Sequence, residues 1–544
     1  MPRALRKLHD LQLEFLVSLC GFVLIFASPR WWVVDGGSDD LLYVRQALSI
    51  KSGHWLGNFG DGGGIKLPGF QIYLALFSYT RIPFYIGIIL IQITGAFLVR
   101  NYFKRTIPYI YIYKVVFVFC VFNPALYGAN NARLLRDGFY SALLTVLFGL
   151  SLNLHLEIVE KVKDFKLKIF KYFALFVLVS AWIAFTREET FAFIIFDIAL
   201  ILAISLLRNL NKTGFKYASS FVVIALTVFG VSSFAIQQVN RIAYGTASMS
   251  TIQSGPIISL ENQWSRVEPV SKNPRMLIDS AQRNVIYSAV PDIGTQKSTI
   301  EKYLNWYSGA SCGQAGICND IGSGWTFWGL FYGLTMGEGL NNPDSFNSEV
   351  THMTKEIQNF CQRNSAHCDI SIRLPTIGLV KNVLPIVGEI PIEFIRSVLQ
   401  RGNTDPVPAS SGSSGSLQQF QQLLPIGGPP NQWSSKPIGS RDVPYIAMML
   451  CLLTLMSSLI PKNRVKKMVS VPLLRIVEPF IFLLILILFR IFVTSTISIV
   501  GWDVNRSNYE LPSNVLSWIL LGLVAACVML FFNDEARLKF KSLK

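Results

Sequence analysis

Just after the first long apolar run, between about 30 and 69, the chain gathers residues suited to chemistry at a membrane surface. It reads Asp35-Gly36-Gly37-Ser38-Asp39-Asp40, then Tyr43 and Ala47, then Gly53-His54-Trp55, and finally Lys66-Leu67-Pro68-Gly69. A carboxylate placed there could deprotonate an acceptor hydroxyl, and an adjacent acid could tune that base or help hold a divalent ion. Lys66 adds a flexible point charge suited to a phosphate. The plainer role for Asp39 and Asp40 is to cap a juxtamembrane helix beginning near Leu41. His54 is near them in sequence, but a single loop histidine is usually incidental.

Two further charged turns border apolar runs: Asn131-Ala132-Arg133-Leu134-Leu135-Arg136-Asp137 and Thr186-Arg187-Glu188-Glu189. Arg490 lies inside the apolar run Ile481–Val493. An arginine there costs at least about 2.5–3.5 kcal/mol unless it snorkels or is paired, which makes it either a headgroup anchor or a functional group. Asp197, also within an apolar run, reads as a hydrogen-bonding group inside a bundle.

These residues need elements to hold them, and the composition says which. The 544 residues are 51% hydrophobic and only 15% charged, against about a quarter charged in soluble domains. The net charge of +16 sits between apolar runs, so it speaks for membrane topology and against a nucleic-acid partner. Apolar segments near or above the ~17-residue spanning minimum occur near 12–29, 70–99, 109–126, 138–154, 171–186, 190–207, 217–236, 444–460, 480–498 and 513–532. The second is too long for one straight helix, and Pro83 predicts a break. The expected fold class is an all-α polytopic membrane protein of about ten spans with an external, disulfide-containing insertion.

With ten spans, six basic clusters fall on one side: those around Arg6, Lys104, Lys166, Lys212, Lys466 and Lys541. That side is the cytoplasm, with both termini. The N-terminal apolar run lacks a small-residue cleavage site and reads as a retained first helix. Cys312, Cys318, Cys361 and Cys368 then lie outside, where Cys312–Cys318 and Cys361–Cys368 are the expected disulfides. Other pairings, and a zinc site with His352 and His367, compete with that assignment.

Four regions follow: a seven-span module over 1–236, an external insertion over 237–401, a Gly/Ser/Pro-rich flexible linker over 402–442, and three C-terminal spans with a basic tail over 443–544. Within the insertion, 376–400 is apolar but interrupted by Lys381, Glu389, Pro391 and Glu393, so it reads as an interfacial or core helix. Trp306, Tyr307, Trp325, Trp328, Phe331 and Tyr332 could stack on sugars or form a disulfide-pinned core.

The acidic pair after the first span, Tyr43 and Ala47, Gly53-His54-Trp55, Lys66-Leu67-Pro68-Gly69 and the Thr186-Arg187-Glu188-Glu189 turn together resemble the C-superfamily (GT-C) of membrane glycosyltransferases. That group includes the protein O-mannosyltransferases and the aminoarabinose transferases of lipid A. The resemblance covers about the first 240 residues. It implies Asp39 as base or orienting group, Asp40 as its partner, and site-facing turns carrying Arg133, Arg136, Arg187 and Glu188; independently, a lipid phosphate needs cations, and Lys66, Arg133, Arg136, Arg187 and Arg490 are expected at or near the outer face. It also implies a polyprenyl-phosphate sugar donor and a glycan, lipid or protein acceptor. No cofactor is required, although a divalent metal ion on Asp39 and Asp40 is compatible with it. Independently, the short cytoplasmic loops leave no room for a nucleotide-sugar domain, and a lipid anchor would deliver a donor to the outer face. The expected location is a bacterial inner or plasma membrane, with the site on the periplasmic or extracellular face. A lipid-sugar flippase and a non-enzymatic envelope assembly protein are the alternative readings.

Overall fold

The structure is a computed structural model. It describes residues 3–27, 39–59, 65–80, 82–107, 110–123, 126–127, 134–160, 165–188, 190–208, 212–251, 255–268, 276–312, 316–368, 414–423, 448, 479–490 and 516–527. Asp35, Gly60–Gly64, Arg133, the 376–400 segment and most of the 402–442 and 444–460 stretches lie outside these described residues. The described residues are mostly helical, without a β-strand.

The bundle contains α1 (Arg3–Ala27), α2 (Asp39–Lys51), α3 (Gly69–Thr80), α4 (Phe84–Thr106), α5 (Ile110–Val121), α6 (Arg136–Glu160), α7 (Phe165–Ala184), α8 (Thr190–Arg208) and α9 (Lys212–Tyr244). Three stretches, Phe84–Thr106, Arg136–Ile158 and Val222–Tyr244, are long and apolar enough to cross a membrane. Shorter apolar helices include Pro479–Arg490 and Leu516–Cys527. The long second run is divided as Pro83 predicts: α3 ends at Thr80 and α4 begins one residue after the proline. Proline lacks the amide that helix interiors use, yet it is tolerated at a helix start.

α4 packs along α6, and two glycines set the spacing. A Cβ on Gly95 would sit 2.7 Å from the Val146 amide nitrogen, and one on Gly149 would sit 2.6 Å from the Leu98 Cβ. Small residues let helix backbones approach closely. α6 is accordingly buried along its apolar length, whereas the spanning stretch of α9 is almost wholly uncovered. Uncovered apolar residues such as Val223, Val231 and Phe234 on α9 suit a lipid environment.

The buried apolar residues form two clusters. The first is the bundle core. The second joins α10 (Pro256–Trp264), α11 (Ser280–Ala289), α12 (Lys297–Trp306), α13 (Ser323–Tyr332) and α14 (Pro343–Arg363). Cys312–Cys318 and Cys361–Cys368 stand at disulfide distance here, the pairs expected from sequence spacing. Leu56, Phe59 and Ile65, from the loop between α2 and α3, also belong to this second core. The loop therefore ties bundle and insertion together.

One reading needs amending. Within the stretch taken as flexible linker, α15 (Ser414–Leu423) is a helix packed against α2, with Phe420 and Leu423 fully buried. Its spacing of Leu417, Phe420 and Leu423 is helical, and the surrounding glycine, serine and proline content masks it in composition.

Candidate functional site

Three motifs separated by up to about 150 residues meet at one end of the bundle. The lysine motif is fixed from both sides. Ile65 exchanges two hydrogen bonds with Thr251 of the insertion segment: its amide donates to the Thr251 hydroxyl at 2.7 Å, and its carbonyl accepts from the Thr251 amide at 2.9 Å. On the bundle side the Gly69 amide donates to the Phe185 carbonyl at 2.7 Å, and the Trp182 indole donates to the Gly69 carbonyl at 3.0 Å. A Cβ on Gly69 would lie 2.6 Å from both the Phe185 carbonyl and the Thr186 hydroxyl, so the close approach requires glycine. Lys66 is held between these clamps and is buried.

Its ammonium lies 3.5 Å from Asp39 and 4.5 Å from the centre of the Trp328 ring. The Asp39 side chain is half exposed, 50% of its surface remaining open. Burial, followed by the Asp39 charge, pushes the Tyr332 phenol up to about 12. Burial, then Tyr332, then Asp39 raise Tyr307 as well. An accessible carboxylate thus sits under an aromatic roof contributed by the insertion, beside a buried cation.

Asp40 behaves differently. It is fully buried and accepts the Leu134 amide at 3.2 Å. Consecutive helix residues diverge by about 100°, so the acidic pair divides into one carboxylate facing the roof and one bracing the turn before α6. Both lie in the first turn of α2, where the helix dipole favours negative charge. Among the described residues no three His, Cys, Asp or Glu side chains cluster around a point that could hold a metal ion.

The charged turns interlock behind this pair. Arg136 donates to the Thr186 carbonyl at 3.0 Å and pairs with Glu188 at 3.0 Å. Arg187 pairs with Asp137 at 2.6 Å. Tyr43, buried on α2, feels these groups: burial raises its phenol pKa, Arg136 opposes the rise, and Asp39, Glu188 and Asp137 add to it. Arg187 and Arg490 both lie over the Tyr140 ring, at 5.4 and 5.9 Å from its centre, and both are buried. A snorkelling arginine keeps its head in water; Arg490 instead packs inside protein against an aromatic face.

Asp197 accepts the Ser151 hydroxyl at 2.7 Å within the bundle, away from this end. His54 lies on another part of the loop and hydrogen-bonds with Ser52 at 3.3 Å. Two contributors, Tyr140 and Thr190, were not singled out by sequence; Tyr43, Asp137 and Trp328 are named there, but not as a charge-facing phenol, the partner of Arg187 and the ring over Lys66. Tyr140 follows Arg136 by four and Asp137 by three, which is one helix face, and Thr190 donates to or accepts from the Tyr140 hydroxyl at 3.0 Å. That spacing was the available signal for Tyr140; for Trp328, composition marks an aromatic group, and only tertiary packing sets its ring over Lys66. Compared with known proteins, the chain matches no family model, no curated protein and no solved structure.

Proposed function

We propose that this chain is a GT-C-type membrane glycosyltransferase that moves a sugar from a polyprenyl-phosphate donor to an acceptor on the non-cytoplasmic face. About ten spans, cytoplasmic termini and a bacterial inner or plasma membrane belong to the same proposal. The observation that carries it is the convergence of Asp39, Lys66 and the Arg136–Glu188 turn beneath aromatic side chains of the insertion. Asp39 and Lys66 share one segment of the sequence, while Arg136 and Glu188 come from two others.

In the proposed reaction the Asp39 carboxylate takes the acceptor hydroxyl proton. The resulting oxygen attacks the anomeric carbon, the bond from that carbon to the phosphate oxygen breaks, and its electron pair leaves with the lipid phosphate. A phosphate monoester is already a good leaving group, so no strong general acid is needed. Among the described residues Lys66 and Arg136 supply positive charge at the accessible edge; Arg187 and Arg490 act from behind through the field across Tyr140. Tyr307, Trp328 and Tyr332 would lie against the faces of the sugar. Asp40 positions the Leu134 turn and takes no proton in this scheme.

The test is mass spectrometry of surface lipids, glycans and proteins from cells carrying Asp39→Asn. A glycosyl increment present with the wild-type chain and absent with the variant, at equal protein level, is expected. An unchanged glycan profile would remove Asp39 from the reaction.

A further inference from the structure

A cavity of about 630 Å³ lies between α2, the loop 54–58, the end of α9 and α15. We propose that it binds an anionic sugar segment of the acceptor; the assignment of these sugars to an acceptor rests on the glycosyltransferase reading above.

Position along α2 comes first. Leu42, Arg45, Gln46 and Ser49 line the cavity, a spacing that marks one helical face. Asp39 precedes Leu42 by three residues and sits at the edge of that face, while Asp40 is turned toward the bundle. At about 1.5 Å per residue, the lining runs from roughly 5 to 15 Å beyond Asp39 along the helix. A chain of sugars lying there could present its end to Asp39.

The walls are built rather than incidental. Trp55 donates its indole hydrogen to Asn240 on α9 at 2.6 Å, and buried Asn240 in turn donates to the Ser248 carbonyl at 2.6 Å. The Tyr244 hydroxyl donates to the Gly57 carbonyl at 2.9 Å. Gly57 adopts φ +87°, a conformation that glycine alone takes readily. These bonds fix the loop to α9 and hold Trp55 in place. The fourth wall is α15, where Gln419 accepts from Arg45 Nε at 3.2 Å.

The lining chemistry selects the ligand class. Among the described residues it contains Arg45, His54, Gln46, Asn58, Gln419 and Ser49 and no carboxylate. Arg45 uses Nε on Gln419, so its two terminal nitrogens are left to form a bidentate pair with a carboxylate or phosphate. Amides and a hydroxyl suit sugar hydroxyls, and Trp55 and the leucines supply apolar surface. At interior packing density the volume holds roughly two or three sugar rings.

The experiment measures binding of three probes to the purified full chain in nanodiscs: trigalacturonate, maltotriose phosphate and neutral maltotriose. The expected result is binding of at least one anionic probe, at least tenfold tighter than maltotriose, and at least tenfold weaker in Arg45→Gln. Which anionic probe binds distinguishes carboxylate from phosphate. Gln419→Ala, which leaves the guanidinium in place but loosens α15, should weaken the same probe less. Equal affinity for maltotriose, no binding of either anion, or an unchanged affinity in both variants would overturn the proposal. Asp39→Asn separates the two readings: it should bind the anionic probe like wild type while forming no product. Product formation without probe binding would sink the cavity assignment alone, and binding without any transfer by wild type would sink the glycosyltransferase reading alone.

Discussion

The two ends of the helical bundle both bury ion pairs, but they do so in different ways. At the end where α1 begins and α4 and α6 finish, Arg100 meets Glu14 at 2.5 Å through one guanidinium nitrogen and 2.8 Å through another, and Arg105 meets Glu157 at 2.5 Å. Glu14 and Glu157 are essentially inaccessible. At the opposite end Asp39 stays half open, its pair with Lys66 spans 3.5 Å, and tryptophan and tyrosine side chains of the second buried cluster overhang it. Tight, closed pairs hold helices in register; a loose pair at an accessible edge can exchange partners with a substrate. Ion pairing alone therefore does not mark a site, whereas an accessible partner does.

The comparison is broken most severely at Asp39. Asp39→Asn should lower glycosyl transfer by about 10²–10⁴, the range lost with a general base, with an unchanged melting profile. Equal loss of activity and of folded protein would mean that Asp39 is structural after all. Glu14→Ala, at the closed end, should do the reverse. Leaving Arg100 buried without its partner costs about 3–5 kcal/mol, seen as a lower melting temperature in detergent, while the folded fraction keeps its specific activity. Specific activity falling with Glu14→Ala would deny the functional difference between the ends.

Gly69→Ala sharpens the account of how the open end is held. The added methyl meets the Phe185 carbonyl and the Thr186 hydroxyl, so Lys66 must shift relative to Arg136. A fall of about tenfold or more in kcat is expected from such misplacement, measured alongside KM for the lipid donor. An active alanine variant would show that the clamp does not position Lys66.

The smallest effect lies in the second domain. Burial pushes the Glu261 carboxyl up to about 8 from its ordinary 4.5. The folded state thus holds a proton that the unfolded chain releases above about pH 4.5. Stability from this group is present at low pH and declines as pH rises toward about 8, with a limiting slope of about 1.4 kcal/mol per unit. Glu261→Gln should flatten that slope in hydrogen-exchange measurements on the insertion, without altering transfer at the bundle end.

Much of the helical arrangement was legible because apolar length and proline placement are local properties: Pro83 marked the break between α3 and α4, and cysteine spacing marked both sulfur pairs. Several site residues were legible for a related reason, since charge bordering apolar runs is costly without a partner. The division of labour between Asp39 and Asp40 was not. It follows from a 100° rotation and from the Leu134 amide, which is remote in sequence. Helix α15, and which of the insertion's aromatic side chains meets Lys66, were hidden for the same cause, because only tertiary packing brings them to α2 and Lys66.

The most direct measurement of the central claim is the sidedness of the open end. Asp39→Cys, treated in intact cells with a membrane-impermeant maleimide, should be labelled from outside, with the Asp197→Cys variant unreactive. Labelling of position 39 only after the cytoplasm is opened would place the carboxylate on the wrong face and contradict the account.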